Sequence, residues 1–274
     1  MSEGPLARYH ELLADGALEP DPAQEAAAEA LDAVSSAVRR RPKTSARSLF
    51  RSRAPAPPSG LYLWGGVGRG KTLLTDLFFN NTDFESKRRL HFHEFMAEAH
   101  ERIAGWRAAG DRDRRRHKAY DRRAPDDPIP YAAYDLAESA KLLVFDEFQV
   151  TDIADAMILG RLFERLYAEG VVTVSTSNRH PNDLYKDGLN RQLFLPFIDL
   201  LQEKNDVMEL ESETDYRLKR LAGAPVYHQP LGPDADAAMD AAWARIITGA
   251  RERREGLAVL GRTLTVRRTA RGAA

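Results

Sequence analysis

The chain carries the stretch Gly65-Gly66-Val67-Gly68-Arg69-Gly70-Lys71-Thr72, which matches the phosphate-loop pattern G-x-x-x-x-G-K-[ST]. An apolar segment of strand type, Leu61-Tyr62-Leu63-Trp64, precedes it, and apolar residues at helical spacing follow it from Leu73 to Phe79. The order strand, loop, helix is the one in which such a loop can turn its backbone N–H groups toward a phosphate chain. A glycine-rich turn without a ligand is the alternative, but such a turn does not require the Gly-Lys-Thr ending.

The phosphate loop therefore predicts a binding site for ATP and Mg²⁺. In this interpretation Lys71 supplies a full positive charge to the phosphates, and the Thr72 hydroxyl is a ligand of Mg²⁺. The predicted nucleotide-binding residues are Gly65, Gly66, Val67, Gly68, Arg69, Gly70, Lys71, Thr72 and Leu73.

A second motif is the apolar strand Leu142-Leu143-Val144-Phe145, which ends in Asp146-Glu147. In a parallel sheet the carboxyl ends of the strands lie on the side where the phosphate loop opens, so both carboxylates are expected to face one site. We predict that Asp146 binds the metal ion and that Glu147 polarises the attacking water. Acidic residues end many strands by chance, so this assignment depends on the phosphate loop.

Two further residues are candidates for catalysis. Asn178 follows the next predicted strand and is placed to reach the γ-phosphate or the attacking water, although Ser and Asn are also ordinary turn residues. Arg191, in Gly188-Leu189-Asn190-Arg191, is a candidate for an arginine supplied across a subunit boundary. A lone arginine on a helix is more often solvated or ion-paired, and that alternative stays open.

Strands alternate with helical segments along the chain, which predicts an α/β fold with a parallel five-stranded sheet between helices. We predict an N-terminal helical segment over 1–56, with helix from about Leu6 to Arg41, a nucleotide-binding core over 57–217, and a C-terminal helical and strand segment over 218–274. The polar stretch from Gly110 to Pro130 is expected to be an exposed loop or a frayed helix end.

Composition restricts the class of protein and of partner. The 274 residues are 43% hydrophobic, which is ordinary for a globular chain, and no apolar run reaches membrane-spanning length. With 40 Lys and Arg against 41 Asp and Glu, the net charge of −1 argues against a nucleic-acid partner. The chain has no cysteine, and its start lacks the pattern of a secretion signal or a transit peptide. We therefore expect a cytoplasmic protein.

Several blocks together resemble the ZapE-type cell-division ATPases, a family with mitochondrial relatives linked to protein quality control. The blocks are the phosphate loop with its flanks, His91-Phe92-His93-Glu94-Phe95-Met96, Phe145-Asp146-Glu147-Phe148, Asp152-Ile153-Ala154-Asp155-Ala156-Met157-Ile158-Leu159 and Gly188-Leu189-Asn190-Arg191. The resemblance runs from about Tyr9 to Arg217.

The resemblance implies an AAA+ P-loop ATPase fold, a nucleotide-dependent homo-oligomer, and remodelling of a protein assembly, in bacteria that of the tubulin-like division protein FtsZ. It also implies that Lys71 and Thr72 bind phosphate and Mg²⁺, that Asp146 and Glu147 form the metal and water pair, that Asn178 is a sensor, and that Arg191 is the arginine finger. Members of the family continue past the position of Ala274, so 218–274 is expected to be an incomplete C-terminal part.

The same sequence features are compatible with several competing functions. A nucleoside or small-molecule kinase shares the phosphate loop, but the Asp-Glu pair and Asn178 argue against it. A nucleic-acid loader or helicase accessory ATPase would require a basic surface that the charge balance does not favour. A nucleotide-gated binding module with little hydrolysis also fits the phosphate loop, and a quality-control adaptor fits the resemblance to the mitochondrial relatives.

Overall fold

The computed structural model describes residues 4–41, 57–211, 232–247, 253–259 and 262–269. The chain divides into two compact units, Met1–Tyr216 and Arg217–Ala274. The three-part division expected from the sequence stays a prediction, because residues 56, 217 and 218 at its boundaries lie outside the described ranges.

The first unit is built on a sheet of five parallel strands in the order β2-β3-β4-β1-β5. The strands are β1 (Gly60–Trp64), β2 (Lys87–His91), β3 (Leu142–Asp146), β4 (Val172–Ser177) and β5 (Asn205–Glu209). This confirms the predicted α/β class with a parallel five-stranded sheet among helices. Strand β4 lies between β1, which leads into the phosphate loop, and β3, which ends in Asp146.

Helices cover both faces of the sheet, and the alternation of side chains along each strand explains how. Leu61 and Leu63 of β1 pack on the face covered by α1 (Pro5–Ala14), α2 (Pro22–Arg39) and α3 (Lys71–Asn81), whereas Tyr62 points to the opposite face. That opposite face is covered by α4 (Phe92–Ala108), α6 (Ile129–Ser139), α7 (Ile153–Ala168) and α8 (Leu195–Lys204). Between α4 and α6 lies the short helix α5 (Asp111–Arg116).

The helical structure expected from about Leu6 to Arg41 is present, but as two helices, α1 and α2, rather than as a continuous one. The carboxylate of Asp21 accepts hydrogen bonds from the backbone N–H groups of Ala23 and Gln24, and Pro22 occupies the first helical position. An Asp cap followed by proline is typical of a helix start, so a new helix begins at this point. The apolar periodicity predicts the helical content of this segment but does not reveal the break.

Two further boundaries differ from the sequence interpretation. The strand expected over Arg89–His93 ends at His91, whose N–H donates to the Glu94 carboxylate at 3.1 Å, so that helix α4 begins at Phe92. The polar stretch from Gly110 to Pro130, expected to be an exposed loop or a frayed helix end, contains the exposed helix α5, and helix α6 begins already at Ile129.

A buried polar cluster ties α7, β4 and β5 together. The Tyr167 hydroxyl lies 3.1 Å from Thr173 Oγ1 and accepts from Asn205 Nδ2 at 3.0 Å, and Thr173 Oγ1 donates to Asn205 Oδ1 at 2.7 Å. Burial raises the pKa of Tyr167 to about 12, although both hydrogen-bond partners lower it. The hydroxyl therefore stays protonated and can close the ring by donating to Thr173.

The second unit is described by α9 (Pro233–Ile247) and by the strands β6 (Arg253–Val259) and β7 (Arg262–Thr269). The predicted helix from Asp234 to Ile247 agrees with α9. The single strand-like segment expected from Leu257 to Val266 is wrong, since β6 and β7 pair antiparallel.

Candidate functional site

The phosphate loop connects β1 to α3, and two of its glycines are required, Gly65 by a close backbone contact and Gly70 by its backbone conformation. A Cβ on Gly65 would lie 2.6 Å from the carbonyl oxygen of Leu210, and one on Gly70 would lie 2.6 Å from the amide nitrogen of Gln24. Gly70 also has a φ of +96°, in the left-handed region that other residues rarely adopt. The loop is therefore a tight cradle of backbone, with no room for side chains at either end.

Lys71 and Thr72 begin α3, where the unpaired N–H groups of a helix favour negative charge. The Lys71 ammonium group donates to the carbonyl oxygens of Gly65 and Gly66, at 2.7 Å each. It thus lies over the loop, where a phosphate chain would lie. Thr72 is exposed at this helix start and Leu73 is partly buried. Of the remaining predicted nucleotide-binding residues, Gly66 and Val67 are exposed, and Gly68 and Arg69 are partly buried.

The end of β4 is hydrogen-bonded both to the phosphate loop and to the chain that follows the acidic end of β3. The N–H of Gly65 donates to the carbonyl oxygen of Ser177 at 3.2 Å, and the N–H of Phe148 donates to that of Thr176 at 2.7 Å. The Ser177 hydroxyl donates to the carbonyl oxygen of Phe148 at 2.8 Å. Thr176 and Ser177 are buried, so these bonds are protected from water.

Glu147 and Asn178 both follow strand ends at this edge of the sheet. Glu147 is exposed and has a φ of +55°, an uncommon conformation for a residue with a side chain. Such backbone persists where the surroundings determine it, and it often occurs at functional positions. Asn178 is exposed directly after Ser177, so the topology places it between the loop of β1 and the acidic end of β3.

Arg191 lies apart from these residues in the described contacts. It begins a short 3-10 helix, Arg191–Leu193, and its guanidinium Nη2 donates to the carbonyl oxygen of Asn182 at 2.5 Å. Its Nε is buried and has no hydrogen-bond partner among the described residues. The structure thus brings Lys71, Thr72, Asp146, Glu147 and Asn178 to one edge of the sheet, and it holds Arg191 on a separate segment.

The sequence interpretation missed Arg89, which binds the predicted metal ligand. Nε and Nη2 of Arg89 donate to the two carboxylate oxygens of Asp146, at 2.7 and 3.2 Å, and Nη1 donates to Asp76 on α3. The side chains of Arg89 and Asp146 are only 18% and 16% exposed. Burial lowers the pKa of Arg89, but the two carboxylates outweigh that effect and raise it, so the guanidinium stays charged. The sequence signal that could have identified this contact is the charged Arg89 in a half-buried strand, because such a side chain requires an oppositely charged partner.

The residues at this edge fit a nucleotide and a divalent cation. The loop leaves no room for side chains at Gly65 and Gly70, and the ammonium of Lys71 lies on it. Thr72 and Asp146 offer oxygen atoms of the kind that Mg²⁺ prefers. Among the described residues, no helix is both long and apolar enough to cross a lipid bilayer.

Comparisons with known proteins identify the family of the chain. The sequence profile of the family described as AFG1-like ATPase matches residues 3–274. The cell division protein ZapE of Escherichia coli K12 is 37% identical over 272 residues, which is 95% of this chain and 68% of that protein. Lactation elevated protein 1 homolog B of Danio rerio is 41% identical over 221 residues, which is 80% of this chain and 43% of that protein.

Among solved structures, domain III of the Thermotoga maritima replication initiation protein DnaA superposes with a TM-score of 0.46 and 16% identity. The superposition covers 81% of this chain and 78% of that chain. The predicted resemblance to the ZapE-type ATPases is confirmed, and the AAA+ P-loop assignment stays what that resemblance implies.

Removing the Arg89 side chain should destabilise the fold. In Arg89→Met the carboxylates of Asp146 and Asp76 lose their shared cation, and we expect the free energy of unfolding to fall by about 2 kcal/mol, as for a partly buried charged hydrogen-bonded pair. Urea unfolding followed by circular dichroism measures the loss.

A double-mutant cycle with Asp146→Asn separates the pair from other effects of the substitution. We expect the double variant to lose about 1 to 2 kcal/mol less than the sum of the single losses. Asp76→Asn is the matched control, since Asp76 is half-exposed and its loss should cost less than about 1 kcal/mol. If the losses in the free energy of unfolding from Arg89→Met and Asp146→Asn are strictly additive, the two side chains do not interact and the proposed ion pair is contradicted.

Proposed function

The chain belongs to the AFG1-like ATPase family, and from this premise we propose that it binds ATP at the phosphate loop and hydrolyses it to ADP and phosphate. The observation that carries the proposal is the double attachment at the end of β4, where Ser177 binds the phosphate loop and Thr176 binds the chain beside Glu147. Those bonds fix a phosphate cradle and two carboxylates at one edge of the sheet.

Each residue of the cradle has a role that follows from its chemistry. The loop N–H groups and the Lys71 ammonium neutralise the phosphate oxygens, in place of the carbonyl contacts that Lys71 makes in this structure. Thr72 and Asp146 would hold Mg²⁺, which supplies charge neutralisation at the phosphates when it is bound. Asp146 must share its oxygen atoms between that ion and Arg89.

Glu147 is the residue we assign to the attacking water. Its carboxylate is exposed at the strand end and can accept a proton as the water oxygen bonds to the γ-phosphorus and the bond to the β-phosphate oxygen breaks. Asn178, at the end of the neighbouring strand, would donate its amide to the γ-phosphate or orient the water.

Arg191 is assigned to a neighbouring copy of the chain. Three leucines close to it in sequence are unusually exposed for their type: Leu189 at 68%, Leu193 at 64% and Leu195 at 40%. Exposed apolar side chains around an arginine are typical of an interface, where arginine is enriched. We propose that this segment packs on a second copy in a nucleotide-dependent homo-oligomer, where Arg191 reaches the partner's γ-phosphate.

The cellular role proposed here comes from the relatives. One relative is named a cell division protein, and we propose that the chain remodels or destabilises the FtsZ assembly in the bacterial cytoplasm. The near-neutral charge, 40 basic against 41 acidic side chains, favours a protein partner over nucleic acid. The ATPase core would then be formed by residues 57–217. It would be preceded by a helical segment over 1–56 and followed by a C-terminal part over 218–274.

Two substitutions separate binding from hydrolysis. Lys71→Ala should abolish measurable ATP binding, because the phosphates lose the cationic side chain of the phosphate-loop motif. Glu147→Gln should retain ATP binding and lower turnover at least about 100-fold, as expected for loss of a general base. Equilibrium binding of a fluorescent ATP analogue and release of inorganic phosphate are the two measurements.

Glu164→Gln is the matched control for that experiment, since Glu164 is exposed on α7 away from the strand ends. It should leave both binding and turnover unchanged. Equal turnover in Glu147→Gln and the unaltered chain would refute the role given to Glu147.

Mixing variants tests the placement of Arg191. If Arg191 acts on a neighbouring copy, Arg191→Ala and Glu147→Gln are each inactive alone, yet a mixture forms some sites with an intact Glu147 and an intact Arg191. Phosphate release from the mixture should exceed that of either variant alone, and size-exclusion light scattering confirms that mixed oligomers form. Mixed assembly without recovered turnover would exclude action between subunits.

The partner assignment is tested with polymerised FtsZ. Light scattering of the polymers should fall faster when the chain and ATP are both present than with either alone. Lys71→Ala supplies the control, since it should leave the scattering unchanged. If the chain hydrolyses ATP while the scattering of FtsZ stays the same, FtsZ is not the substrate of the activity.

A further inference from the structure

Gln24 is a buried amide in the first turn of α2, far from the motifs in sequence. Asp21 caps this helix through hydrogen bonds to the N–H groups of Ala23 and Gln24, at 2.9 and 3.2 Å. The Gln24 side chain is only 1% exposed. The helix cap and the burial together leave the amide little freedom to move.

The amide lies directly against the phosphate loop. Its Nε2 donates to the carbonyl oxygen of Arg69 at 3.1 Å, and a Cβ at Gly70 would come within 2.6 Å of the same nitrogen. In a nucleotide with its phosphates in the loop, the ribose joins the base to the α-phosphate, so the base lies beside the loop rather than inside it. Gln24 is therefore a polar side chain at the flank of the loop, on the side formed by the N-terminal helices.

The contact with Arg69 fixes which way the amide points. A carbonyl oxygen can only accept, so the NH₂ group of Gln24 must face Arg69, and Oε1 is left to accept from another donor. Oε1 is buried and has no hydrogen-bond partner among the described residues. Buried acceptors are rarely left unpaired in proteins, and an exception beside a binding loop suggests that a ligand supplies the donor.

We propose that Gln24 determines base specificity, with Oε1 accepting a hydrogen bond from the exocyclic 6-amino group of adenine. The inference rests on the proposed binding of ATP by the loop. Guanine and hypoxanthine carry an oxygen at position 6, so Oε1 would face another acceptor and both would remain unpaired. A site built to pair with a substrate donor rejects the analogue that lacks it.

Competition binding with ATP and ITP tests this role of Gln24, because the two nucleotides differ at the 6-position. The full chain is titrated with a fluorescent ATP analogue labelled on the ribose, which ATP or ITP then displaces. We expect ATP to compete at least about 10-fold better than ITP with the unaltered chain. In Gln24→Ala the ratio should fall to about one, mainly through weaker ATP binding.

Ser35→Ala is the matched control, since Ser35 is also buried on α2. Its hydroxyl accepts a hydrogen bond from Thr82, whereas Gln24 donates one to the phosphate loop. It should keep the ATP to ITP ratio of the unaltered chain. If circular dichroism shows Gln24→Ala to be unfolded, Gln24→Met keeps the length of the side chain without its polar atoms and replaces it.

The outcomes separate this inference from the proposed function. Equal weakening of ATP and ITP in the Gln24 variant would mean that the amide only braces the loop, which overturns the inference and leaves ATP binding intact. Equal binding of ATP and ITP by the unaltered chain would overturn it as well. Failure of the unaltered chain to bind either nucleotide would remove the proposed function and this inference together.

Discussion

The site depends on the hydrogen bonds made by the last two residues of β4. Ser177 accepts from Gly65 and donates to the carbonyl oxygen of Phe148, and Thr176 accepts from the N–H of Phe148. The spacing between the phosphate loop and the acidic strand end is therefore set by sheet register, which cannot vary without breaking several buried bonds. The positive φ of Glu147 persists in this setting because the backbone on its C-terminal side is already fixed.

The parts of the fold that follow local rules could be predicted from the sequence. The phosphate loop and the strand ending at Asp146 are continuous motifs, and the rule that parallel strands end on one side of a sheet brings them together. The helix break before Pro22 and the end of β2 at His91 were missed, because each depends on one capping carboxylate rather than on periodicity. The roles of the site residues remain predictions, which are those of Lys71, Thr72, Asp146, Glu147, Asn178 and Arg191.

Contacts that join distant polar side chains could not be predicted in this way. Arg89 reaches Asp146 across 57 residues, and Gln24 reaches Arg69 across 45. Periodicity shows which face of an element is buried, but it does not say which polar group meets which across two elements. In the sequence, Gln24 is a polar residue of an Ala-rich helix and Arg89 is one of several basic residues in a strand.

The phosphate loop and the acidic pair are connected by a second route, which uses side chains rather than backbone. Arg89 on β2 binds Asp146 with two nitrogens and Asp76 of α3 with the third, and α3 begins at Lys71. A planar guanidinium with both carboxylates fixed has little freedom to rotate. Arg89 therefore joins α3 to Asp146 through side chains, while the hydrogen bonds at the end of β4 join the phosphate loop to the acidic strand end through the backbone.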